Sequence, residues 1–201
     1  MKEYPSIEGP SKAPRDQCIA FFKYDGSNLR FEWQRKKGWC KFGTRHDESH
    51  EVFGEAIKLF NETIAIKIDP ILRKEYRDAQ IITVYCEFFG KQSFAGQHVI
   101  GDPKQLVLID VEIYKKGFIS PREFVKNFGN LDISAKVVYE GNLNDQFIND
   151  VRENRLSTLL EEGVVCKGGS GHKIWRSKIK TKEYLEKLKK VFGGEWEKYG
   201  E

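Results

Sequence analysis

Four short segments set lysines and acids beside apolar runs: Lys23-Tyr24-Asp25-Gly26-Ser27-Asn28, Tyr85-Cys86-Glu87-Phe88-Phe89-Gly90, Glu162-Gly163-Val164-Val165-Cys166-Lys167 and Lys178-Ile179-Lys180. Taken singly, each has a plain structural explanation. A lysine at a strand end is ordinarily a solvated charge. A glutamate within an apolar strand ordinarily faces outward, and alternate lysines on a strand share one exposed face. Together the four segments could perform phosphoryl transfer. Lys23 follows Ile19-Ala20-Phe21-Phe22, so its stem leaves a desolvated strand. An amine nucleophile must be unprotonated, yet a free lysine titrates near ~10.4. Burial and neighbouring cations lower that value, and Lys178 and Lys180 could be those cations. The same two lysines could hold nucleotide phosphates and neutralise a leaving pyrophosphate. Glu87 and Glu162 could bind a ribose hydroxyl or a divalent ion, since Mg²⁺ takes one or two carboxylates and completes its shell with phosphates and waters.

Positioning such groups falls to a series of strands and helices. Ile19 to Tyr24 reads as a buried strand. Leu29, Phe31 and Trp33 alternate with Arg30, Glu32 and Gln34, the pattern of a half-buried strand. Arg35-Lys36-Lys37-Gly38 turns the chain into Trp39 to Phe42, and Asp25-Gly26 makes the preceding turn. Val52, Phe53, Ala56, Ile57 and Phe60 fall at helical spacing. Asp69-Pro70 reads as an N-cap with proline at the first helical position, opening a helix to about Arg77. Ile81 to Phe89 and Leu106 to Tyr114 are strands. Ser120-Pro121-Arg122-Glu123 is a capping box that starts a short helix. A strand at Val137 to Tyr139 and a helix between Leu143 and Leu160 precede strands at Gly163 to Lys167 and Ile174 to Lys180. Leu185, Leu188 and Val191 mark a last helix, stopped by Gly193-Gly194. Strands and helices mix without βαβ alternation, so the class is α+β.

Composition narrows the function further. The chain has 201 residues, enough to bury a real core, with 39% hydrophobic and 32% charged residues. A net charge of +4 is only mildly basic, so any nucleic-acid binding must rest on locally clustered Lys and Arg. Cys18, Cys40, Cys86 and Cys166 form no Cys-x-x-Cys pair, and the reading is four reduced thiols in a cytoplasmic protein. Met1 to Pro5 has no apolar signal core, and no run approaches the ~18 apolar residues of a membrane span. There is no Gly-x-x-x-x-Gly-Lys-Ser/Thr loop; Gly90-Lys91-Gln92-Ser93 fails its spacing. No Gly-x-Gly-x-x-Gly follows a strand. Gly168-Gly169-Ser170-Gly171 reads as a hairpin turn rather than a phosphate cradle.

In this order the segments resemble the motifs of the covalent nucleotidyltransferases, the ATP-dependent DNA and RNA ligases and mRNA capping enzymes. Lys23-Tyr24-Asp25-Gly26 resembles the nucleophile motif Lys-x-Asp-Gly, and Tyr85 to Gly90 resembles the third motif. Glu162 to Lys167 resembles Glu-Gly-x-Val-x-Lys, and Lys178 to Lys180 resembles the final Lys-x-Lys. Leu106 to Val111 resembles the strand that ends in an aromatic followed by aspartate. Further details resemble the bacteriophage RNA ligase 2-like branch: Tyr4-Pro5-Ser6-Ile7-Glu8, Gly26-Ser27-Asn28 and the hairpin return Lys41-Phe42-Gly43-Thr44-Arg45.

The resemblance implies an α+β nucleotidyltransferase (ATP-grasp-like ligase adenylation) domain, with antiparallel sheets flanked by helices. It implies an ATP-dependent RNA ligase using ATP and Mg²⁺ (or Mn²⁺). Lys23 would take AMP from ATP, pass it to a 5′-phosphate RNA end, and the end would be sealed to a 3′-hydroxyl. Carried over, Lys23 is the nucleophile, Lys178 and Lys180 contact the AMP phosphate, and Glu87 contacts the ribose. Glu162 acts near metal and nucleotide, and Asn28 and Arg45 place the adenylate or the RNA ends. The base rests on the strand ending at Asp110, where Ile109 stands in place of the expected aromatic. About twenty residues follow Lys180, so one domain over residues 1 to 201 is expected, with no OB-fold or other C-terminal domain. A monomer with RNA ends as partners and no membrane is expected. Two competing readings share the motifs: a DNA nick ligase or other ATP/GTP nucleotidyltransferase, and a catalytically inactive module that binds nucleic-acid ends.

Overall fold

Asp25 and Gly26, expected as a hairpin turn, instead carry the chain from one sheet to another. The computed structural model describes residues 1–45, 54–91 and 101–200. Its elements are β1 (Gln17–Lys23), β2 (Ser27–Gln34), β3 (Gly38–Thr44), α1 (Gly54–Leu59), a π-type stretch (Phe60–Ala65), α2 (Ile66–Glu75), β4 (Ile81–Phe89), β5 (Gln105–Ile113) and β6 (Gly117–Phe118). They continue with α3 (Pro121–Phe128), β7 (Val137–Asn142), α4 (Asp145–Arg152), β8 (Gly163–Gly168), β9 (Trp175–Lys180) and α5 (Lys182–Phe192). Val52, Phe53, Gln92 and Ser93 lie outside the described residues. The chain forms two units, one of Met1–Pro5 with Gly26–Ala135, the other of Ser6–Asp25 with Lys136–Glu201.

The first unit is built on an antiparallel sheet of order β3-β2-β4-β5-β6. Leu29, Phe31 and Trp33 of β2 are buried as expected, and the Phe31 ring stacks on Phe60 at 3.8 Å. Arg30 and Glu32 on the opposite face are buried too, at 2% and 6% exposure, so the strand is covered on both sides. Met1–Pro5 supplies groups to that second face. Arg30 Nη1 donates to the Met1 carbonyl at 2.7 Å, the Tyr4 hydroxyl donates to Asp110 at 3.0 Å, and the Tyr85 hydroxyl donates to Glu112 at 2.8 Å, with the Lys2 carbonyl 3.1 Å away.

Asp69-Pro70 does not open a helix but lies inside α2. The Asp69 carboxylate accepts from Trp33 Nε1 at 2.7 Å and from Arg73 instead of capping. Phe60, Ile64, Ile68 and Leu72 recur every four residues and are all fully buried. Burying four such side chains gains roughly 1.5–3 kcal/mol each, which outweighs the ~3 kcal/mol cost of an internal proline. α3 begins as predicted, with Ser120 Oγ accepting from the Glu123 N–H.

The second unit holds the antiparallel sheet β7-β1-β8-β9. One of its faces presents Cys18, Ala20, Val164, Cys166 and Ile179 to Phe147, Ile148 and Val151 of α4. Asn144 caps that helix, accepting from the Phe147 N–H at 2.8 Å. All four cysteines are free thiols. α5 is capped by Thr181 and buries Tyr184 and Leu188, whereas Val191, expected on its apolar stripe, is 53% exposed. Among the described residues no helix is long and apolar enough to cross a membrane.

Candidate active site

Lys23 is the last residue of β1 and pairs across the sheet with Gly163 of β8, which pairs in turn with Lys180 of β9. The two lysines therefore flank a position with no side chain. Glycine is required there: its φ is +147°, and a Cβ would lie 2.0 Å from the Ile179 carbonyl oxygen. This close approach sets Glu162, the preceding residue, at the end of the row. One carboxylate oxygen, Glu162 Oε1, lies 2.8 Å from Lys23 Nζ and 3.0 Å from Lys180 Nζ. The Glu162 side chain is 3% exposed, Lys180 5% and Lys23 21%.

Burial holds the Lys180 ammonium below its ordinary value, the Glu162 carboxylate pulls it back up, and the neighbouring Lys23 charge lowers it again. Two further groups meet Lys180: its Nζ donates to the Tyr199 carbonyl at 2.7 Å and lies 4.7 Å from the centre of the Tyr184 ring. The Tyr184 hydroxyl donates to buried Asp25 at 3.0 Å. Lys178 stands on the same face of β9, one row from Lys180 and paired with Val165.

The structure thus joins Lys23, Glu162 and Lys180 in direct contact, with Lys178 alongside. Tyr184 was missed from sequence, as was the placement of Asp25. The available signal was the i, i+4 pairing of Tyr184 with Leu188 on the buried side of a helix that follows Lys-x-Lys.

The remaining predicted residues lie in the first unit. Asn28 of β2 pairs with Glu87 of β4. β3 ends where Thr44 pairs with Leu29, so Arg45 leaves the hairpin one position beyond, beside Asn28. Both polar atoms of the Asn28 amide and the Arg45 Nε are buried and meet no hydrogen-bond partner among the described residues. Ile109 is half-buried on β5, next to buried Asp110, whose carboxylate accepts from Tyr4 and the Val111 N–H. An amide that folding has desolvated and left unmatched leaves hydrogen bonds for a water or a ligand to complete.

Among the described residues no group of three or more His, Cys, Asp or Glu side chains could cage a metal. Glu162 Oε2, buried and met by no donor among the described residues, suits a hydrated Mg²⁺ or Mn²⁺ that draws its other ligands from phosphates and water.

No protein-family model matches the sequence, and no curated protein matches it. Solved structures do. An apo structure of a Naegleria gruberi RNA ligase variant aligns with a TM-score of 0.67 at 15% identity, over 94% of this chain and 58% of that one. A variant of the same enzyme with ATP and Mn gives 0.64 at 16%, over 93% and 59%. An archaeal ATP-dependent RNA ligase gives 0.67 at 14%, over 96% and 52%. The chain spans between 52% and 59% of the length of these neighbours. Its fold, two antiparallel sheets with flanking helices, is shared with these RNA ligase structures over the part of their length that it spans.

Proposed function

We propose that this chain is an ATP-dependent RNA ligase that forms a lysyl-AMP intermediate on Lys23. The observation that carries the reading is the contact of Lys23 and Lys180 with one oxygen of Glu162, on a fold shared with RNA ligases. In this reading both units belong to one nucleotidyltransferase domain.

Lys23 Nζ gives up a proton, for which the Glu162 carboxylate at 2.8 Å is the base in contact. The amine attacks the α-phosphorus of ATP; an Nζ–P bond forms and the bond to pyrophosphate breaks. Lys180 and Lys178 hold charge on the α-phosphate and the leaving group. Glu162 Oε2 would hold a Mg²⁺ or Mn²⁺ ion, which neutralises phosphate charge when bound. A 5′-phosphate oxygen of RNA then attacks the AMP phosphorus and frees Lys23. Finally a 3′-hydroxyl attacks the 5′-phosphorus and AMP departs. Glu87 contacts the ribose, Ile109 packs on the base, and Asn28 and Arg45 meet the adenylate or the RNA ends.

Sealing of nicked duplexes tests the assignment. With ATP and magnesium, a nick carrying RNA at the 3′-hydroxyl side is sealed and one carrying DNA there is sealed poorly. Equal sealing of both contradicts the RNA assignment and favours a general nick ligase.

A further inference from the structure

The sheet β7-β1-β8-β9 has two chemically opposed faces. One is the apolar face covered by α4. The other carries three rows across β1, β8 and β9: Lys23–Gly163–Lys180, Phe21–Val165–Lys178 and Ile19–Lys167–Arg176. Direct cross-strand partners share a face, so Lys23, Lys167, Arg176, Lys178 and Lys180 all project to one side. The first two rows make up the site proposed above. The third is not used by it.

In that third row Lys167 and Arg176 stand directly opposite each other, a like-charge pairing that disfavours the strand contact. Lys167 is moreover 5% exposed, with its ammonium 5.0 Å from the centre of the Phe21 ring. Glu140 of β7 lies on the same face, opposite Ile19 at the edge of the row. A local excess of cations over an apolar floor favours a ligand rich in anionic oxygens. Along β9, alternate residues step ~6.6 Å, so Arg176, Lys178 and Lys180 form a ladder about 13 Å long. Such a ladder follows a chain of phosphates leading away from the one held at Lys180.

We propose that Arg176 is a phosphate-binding residue, forming a subsite beyond the α-phosphate position of the same face. The inference rests on the ligase reading for what lies at Lys23 and Lys180. Its ligand chemistry is a phosphate group, supplied by the β- and γ-phosphates of ATP or by the backbone of the RNA. The guanidinium fork takes two oxygens of one phosphate at once, which an ammonium does not.

The test measures equilibrium binding of AMP, ATP, pyrophosphate and a 5′-phosphorylated RNA oligonucleotide to the full chain. It compares wild type, Arg176→Ala and Arg176→Lys without divalent metal, so that no turnover is needed. If the subsite serves ATP, Arg176→Ala weakens ATP and pyrophosphate about 10- to 100-fold, Arg176→Lys recovers part of the loss, and AMP is unaffected. If it serves RNA, RNA binding weakens and its slope against log salt falls by about 0.7–0.9, with ATP unaffected. Either pattern supports the subsite. Unchanged binding of all four probes overturns it, and so does a matching loss of AMP binding with lowered unfolding stability. A wild type that binds ATP through Arg176 yet never becomes labelled would sink the ligase reading alone.

Discussion

Lys23 and Lys180, 157 positions apart in sequence, meet at a single oxygen of Glu162, at 2.8 and 3.0 Å. All three side chains are largely or wholly withdrawn from water. An arrangement of two cations on one carboxylate is ready for an anion: a phosphate entering between the lysines replaces charge that Glu162 alone now supplies. Glu162→Gln removes that charge and should cost about 3–5 kcal/mol of folding stability, read by urea unfolding. Pyrophosphate should raise the melting temperature of the variant more than that of wild type, because it restores an anion beside the lysines. A variant as stable as wild type contradicts this account of the cluster.

The lowered proton affinity of Lys180 has a consequence for stability against pH. In the unfolded chain the amine titrates at its ordinary 10.5; in the folded chain it titrates below that. At neutral pH both forms are charged, and the cost of burying the charge is fully present. Between the two values the unfolded chain binds a proton that the folded chain lacks, so stability contributed through Lys180 rises with pH in that window. Lys180→Met lacks this contribution. Its stability advantage or deficit relative to wild type should shift in favour of wild type as pH climbs from neutral towards 10.5. A pH-independent difference in urea unfolding would speak against it.

Asn28 carries the opposite signature, an amide whose two polar atoms are buried and unmatched among the described residues. Asn28→Leu, close in volume, removes that unmatched group and should leave the ligand-free chain as stable or up to ~2 kcal/mol more stable. The same change should sharply reduce AMP transfer to Lys23. Lost stability with transfer intact would mean that Asn28 serves the fold.

Gly163 is the backbone hinge of the site. Gly163→Ala places a methyl group 2.0 Å from the Ile179 carbonyl at a φ of +147°. The strand pair must part, at a cost on the order of 3–5 kcal/mol, and Glu162 moves from between the lysines. Calorimetric melting measures the loss; unchanged melting would show that the β8–β9 approach is looser than described.

Much of this was legible in the sequence where local pattern decides the outcome. β4 runs over Ile81–Phe89 as its apolar stretch indicates, and Ser120 caps α3 as its capping box indicates. Pairing between distant segments was not legible. β1 pairs with β7 and β8 rather than with the strand that follows it, and local periodicity carries no information about such partners. Asp69-Pro70 misled because a buried stripe of Phe60, Ile64, Ile68 and Leu72 overrode a local stop signal. Motif order pointed to Lys23, Glu162 and Lys180, but their shared contact depends on Gly163, whose steric role emerges only when β8 and β9 are paired. Tyr184 was hidden for a related reason: its partner Asp25 lies 159 positions away, in the segment between β1 and β2.

Incubation of the folded, AMP-free chain with α-labelled ATP and magnesium, followed by denaturing electrophoresis, reads the covalent step on Lys23 itself. Wild type should carry label that survives denaturation, and Lys23→Ala should carry none. Absence of label on wild type, or label that persists in Lys23→Ala, would contradict it.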